Sequence, residues 1–161
     1  MPVRGMTECS AWHHRVVSID PEAIVGQTLN GVSSSWHEFE GRRSAEPVHV
    51  WLHLDGLGTL RLQTLNGVVL SQDAVHEPYE MGEHGRTLVE PSGPSPLVEH
   101  VGERIEAVSR LAQTPPGTAA GLVLAFQGGS VGIADLGDEL VVAPWPAAEW
   151  SRWKVSLQTA D

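Results

Sequence analysis

The sequence predicts a mainly β fold: a single domain, residues 1–161, of two pseudo-symmetric antiparallel β repeats closing as a sandwich, roll or barrel, with short helical turns. Three observations predict it. Apolar residues alternate strictly at Val50/Leu52/Leu54 and Leu60/Leu62, and again at Leu122/Leu124/Phe126 and Val131/Ile133; a period of two belongs to strands and not to helices. Between those runs stand Asp55-Gly56-Leu57-Gly58 and Gln127-Gly128-Gly129, which supply the positive-φ residues of tight hairpins. Residues 25–33, VGQTLNGVS, realign on residues 101–109, VGERIEAVS, with Val25, Gly26, Val32 and Ser33 matched by Val101, Gly102, Val108 and Ser109. Repeat 1 covers about residues 20–71, an acidic connector 72–95, repeat 2 about 96–143 and a Trp-rich segment 144–161.

Each repeat opens on a helical turn, Pro21-Glu22-Ala23-Ile24 or Pro96-Leu97-Val98-Glu99-His100, begun by proline where its missing N–H would be unpaired anyway. A strand follows, then a polar connector (residues 34–47 and 110–120), a hairpin and a further strand around Val69-Leu70 or Leu140-Val141. Pairing the inward sets places His53 across from Arg61 and Trp51 across from Gln63, with a longer loop in the first hairpin. The segment from Pro144 to Trp153 reads as a turn and short helix, and Val155 to Thr159 as a last strand.

The length of 161 residues bounds the chain to one ordinary domain. Twenty acidic against ten basic residues leave a net charge of −10, which repels a phosphate backbone, so no nucleic acid is expected as partner. No apolar run approaches the roughly 20 residues of a membrane helix, and no charged leader opens the chain. Cys9 is alone, which forbids an internal disulfide; a cytoplasmic protein is the expectation. Nine of the ten basic residues are Arg, a bias read here as bacterial. Gly-x-Ser-x-Gly, Walker and Gly-x-Gly-x-x-Gly motifs are missing, so those enzyme classes lose support and no catalytic residue or cofactor is assigned. Trp12, His13 and His14 read as part of a lightly docked terminus.

The repeats differ on the face turned away from their apolar sets. The first displays His49, Trp51 and His53, then Arg61 and Gln63; the second has Gly121, Val123, Ala125, Gly132 and Ala134. Two readings compete for the first face: a solvated outer sheet surface, or a binding patch built on Trp51, His53 and Arg61. Zinc is not expected there, because His49 and His53 stand about 13 Å apart along a strand at ~3.3 Å per residue, far beyond shared coordination. The bare second face invites close approach by another element, from this chain or from a second copy in a homodimer.

The connector gathers Asp73, Glu77, Glu80 and Glu83 with His76, His84 and the only tyrosine, Tyr79. It has no metal-binding spacing and reads as an acidic surface suited to a basic partner. Six tryptophans are many beside one Tyr and two Phe. Trp145, Trp150 and Trp153, with Arg152, make a candidate partner surface of the residue types enriched where binding energy concentrates.

In the second repeat, residues 122–131 (LVLAFQGGSV), leading to Leu136-Gly137-Asp138-Glu139-Leu140 and Trp145-Pro146, resemble a pattern of small uncharacterised bacterial immunity-type proteins. The resemblance covers about a quarter of the chain. It implies a non-enzymatic protein that neutralises a toxin by binding it, and it assigns no residue. The expected function is therefore binding of a basic protein partner through the acidic and Trp-rich surface. The alternative is a small β-barrel enzyme or ligand binder, of cyclase or isomerase type, whose Trp-lined pocket holds a small apolar ligand.

Overall fold

The computed structural model describes residues 17–158; Cys9, Trp12, His13 and His14 lie outside them. The strands are β1 (Val17–Ile19), β2 (Leu29–Phe39), β3 (Arg42–Arg43), β4 (His49–Leu54), β5 (Gly58–Thr64), β6 (Val68–Gln72), β7 (Tyr79–Glu80), β8 (Arg86–Glu90), β9 (Ile105–Gln113), β10 (Thr118–Phe126), β11 (Gly129–Leu136), β12 (Glu139–Trp145) and β13 (Val155–Leu157). Two short α-helices, α1 (Ser95–Val98) and α2 (Ala148–Arg152), and two 3-10 turns, Pro21–Ile24 and Gly82–His84, complete the described chain.

The fold is mainly β. Eight strands form one antiparallel sheet in the order β1-β6-β5-β4-β2-β8-β7, with β3 paired to β2; five form a second in the order β12-β11-β10-β9-β13. The inner faces share one core, in which Leu52, Leu54, Leu60, Leu62 and Leu70 of the first sheet meet Leu122, Leu124, Val131, Ile133 and Leu140 of the second. All but Leu70 and Leu140 are residues of the period-two runs, and each fully buried aliphatic side chain contributes about 1.5–3 kcal/mol of transfer free energy.

The segments aligned in the sequence lie against each other. Gly26 N donates to Ile105 O (2.8 Å) and Gly102 N to Leu29 O (2.7 Å); Leu29 N donates to Glu103 O and Ile105 N to Gln27 O, both at 2.9 Å. Thr28 and Arg104 form an antiparallel bridge at the centre. Gln27 Oε1 then accepts from Gly56 N and Leu57 N, and Glu103 Oε1 from Gly128 N, so each segment caps the hairpin of its own sheet.

Several details depart from the sequence reading. Both hairpins are tighter than expected: Leu54 pairs with Gly58 and Phe126 with Gly129. Trp51 therefore faces Arg61, and His53 faces Thr59. The shift is by two residues, which preserves every inward and outward assignment. Its cause is the positive φ of Gly58 and Gly129 together with the carboxamide and carboxylate caps, which let pairing run into the turn. The supposed connector after Ser34 is strand as far as Phe39, because β2 is held on both sides, by β4 and β8. The acidic connector likewise contains β7 and β8.

Candidate functional site

Across the outer face of the first sheet, one row of paired positions runs Ser18, Ser71, Arg61, Trp51, Ser33 over β1, β6, β5, β4 and β2. This face is not the solvated surface that its polarity suggested. Trp51 has no accessible surface and Arg61 is 9% exposed. The cover comes from the connector. β6 and β7 lie five strand steps apart in the sheet, about 24 Å at ~4.8 Å per step. Residues 73–78 cross that distance over β5 and β4 as a strap with no regular structure.

The strap brings Asp73 and His76 onto the row. Arg61 Nη1 donates to Asp73 Oδ2 at 2.6 Å and to His76 Nε2 at 3.1 Å. The His76 ring stands edge-on to Trp51, 5.2 Å between centroids, and to His49 at 5.5 Å, while His49 and Trp51 are 5.7 Å apart. The indole is thus boxed by two imidazoles and a guanidinium held by one carboxylate. Burial, helped by the positive Arg61 and by His76, lowers the His49 pKa to about 4 against the opposing pull of Asp73. His53 sits one position along, with Nε2 2.8 Å from Ser33 Oγ and Nδ1 3.0 Å from Thr59 Oγ1; burial pushes its pKa down. Gln63 is half-buried beside His49. Of these residues His49 and Gln63 line an open cleft of about 320 Å³, together with Glu46, Asp138 and Glu139. Burial, then the charge of Glu139, raises the Glu46 pKa.

Residues assigned from the sequence to two separate sites therefore meet. His49, Trp51, Arg61 and Asp73 belong to one cluster, whereas Glu77, Glu80 and Glu83 point to solvent. His76 and Ser71 were not singled out as partners of Trp51 and Arg61. The signal available was the parity of Ser71 on β6; nothing local in residues 73–78 announces a crossing. Among the described residues no group of His, Cys, Asp or Glu is arranged to hold a metal ion.

The second outer face is covered too, by the chain's own C-terminal segment. Trp150 is 2% exposed and packs with Trp145 and Trp153 at centroid distances of 5.4 and 5.3 Å. Its Nε1 donates to Pro144 O at 2.8 Å. A Cβ on Gly132 would come within 2.5 Å of this indole, so the bare strand surface is what admits it. This corrects the expectation of a Trp-rich partner surface: Trp150 is buried, Trp145 and Trp153 are half-buried, and Arg152, exposed, pairs with Glu149 at 3.5 Å. The face offered to a second copy is occupied by this chain.

The sequence matches no family model, and no curated protein or solved structure matches it significantly. No helix among the described residues is long and apolar enough to cross a membrane.

Proposed function

We propose that this chain is a bacterial, cytoplasmic, non-enzymatic binding protein, of immunity type, that engages a basic protein partner through the acidic edge formed by residues 77–83. The observation that carries this reading is the composition of that edge. Glu77, Glu80 and Glu83 are exposed, and among the described residues none of them enters an ion pair. Tyr79, 53% exposed, and Met81, 38% exposed, stand between them. An amphipathic aromatic flanked by unneutralised carboxylates is suited to a cationic surface, with the charges steering encounter and the ring supplying contact area. The net charge of −10 acts in the same direction.

Support for the enzyme alternative is weaker. The inner faces of the sheets are filled by side chains, and Trp51 is wholly buried against His49 and His76. The test is capture from a lysate of the native host at low and high salt, with wild type and with a variant carrying Glu77→Gln, Glu80→Gln and Glu83→Gln. One basic protein, retained by wild type at low salt and lost both at high salt and from the variant, is expected. Equal retention by the variant would move the interface elsewhere, and no partner at either salt would contradict the reading.

A further inference from the structure

Trp51 Nε1, Arg61 Nε and Ser71 Oγ are buried without a hydrogen-bond partner among the described residues. They occupy paired positions on three neighbouring strands, Trp51 opposite Arg61 and Arg61 opposite Ser71. Each of these groups has a hydrogen to donate, so the row is complementary to an acceptor, and the guanidinium makes that acceptor an anion. The anion already beside it is a carboxylate. Asp73 Oδ2 takes Nη1 of Arg61 and lies 3.3 Å from His76 Nε2, but it leaves Arg61 Nε unused, although the guanidinium fork matches a carboxylate through parallel bonds. Beyond the side-chain contacts of Asp73 and His76, the strap is lightly held. Apart from Asp73 N donating to Thr59 O at 3.4 Å, residues 73–78 make no backbone–backbone hydrogen bond among the described residues, the condition under which segments open locally.

We propose that the row Trp51–Arg61–Ser71 is a carboxylate-binding site, that Asp73 is its internal occupant, and that the strap is a lid displaced by an external carboxylate. The site is independent of the acidic edge and does not rest on it. Displacement exposes Trp51, so binding is visible in its fluorescence.

Acetate is the probe, titrated against sodium chloride at matched ionic strength. Removing the internal occupant as Asp73→Asn leaves Arg61 for the added ion. Acetate is expected to raise the Tm of this variant saturably, to change Trp emission over the same range, and to bind about tenfold or more tightly than to wild type, where Asp73 competes. Adding Arg61→Leu to the variant should abolish the response. If Asp73→Asn does not fold, Asp73→Ser, read by fluorescence and refolding yield in acetate against chloride, carries the same test. Equal responses to acetate and chloride, a response that survives Arg61→Leu, or equal affinity for wild type and variant would each overturn the proposal.

Discussion

Trp51 points outward from β4 and yet is wholly buried, because His49, His76 and Arg61 close around it. Trp51→Ala should therefore cost about 3–5 kcal/mol of unfolding free energy, as for a core aromatic. A solvated outer position would change by only about 0.5 kcal/mol, so urea unfolding separates the two. His49 gives a pH prediction with a definite sign. The unfolded chain takes up a proton on this ring near pH 6.5, while the folded chain keeps it neutral down to about 4. The unfolded state thus binds more protons between those values, and stability falls as pH drops through that window. His53 is shifted the same way. His49→Gln should remove up to about one proton from the slope of stability against pH; a profile superimposable on wild type would contradict the burial of this ring.

Both sheets have their outer faces covered by chain that is not itself central strand, the first by the strap and the second by α2 and its tryptophans. The second cover depends on the missing side chain at Gly132. Gly132→Val should lift Trp150, lowering stability by about 1–3 kcal/mol and exposing residues 144–158 to protease, while Trp150→Ala should open the same segment without a clash. Unchanged proteolysis in both variants would contradict this packing. The elements themselves differed in how far the sequence disclosed them. β4, β5, β10 and β11 were legible because one face is buried in a shared core, which writes a period of two into the residues. Hairpin register was not, because a shift of two leaves that pattern intact and the deciding caps, Gln27 and Glu103, come from distant chain. β8 was obscured by the acids before it, and the strap by the absence of any local pattern. His49, Trp51 and Arg61 were identified as a group, but their partner Asp73 was assigned to another surface, since sheet order decides what crosses above them.

At the scale of the molecule, the reciprocal bonds around Thr28 and Arg104 join the sheets, Trp51, Arg61 and Trp150 are buried, and the carboxylates of Glu77, Glu80 and Glu83 are exposed. Neutralising Glu77, Glu80 and Glu83 together should leave the unfolding free energy within the scatter of surface substitutions, about 0.5 kcal/mol for each, since all are exposed. The most direct test of the proposed binding role is the salt dependence of affinity for any basic protein captured from the lysate, measured for wild type and for this triple Gln variant. Wild-type affinity is expected to fall steeply with salt, and the variant to bind more weakly with a flatter dependence. Superimposable salt curves for the two proteins would contradict it.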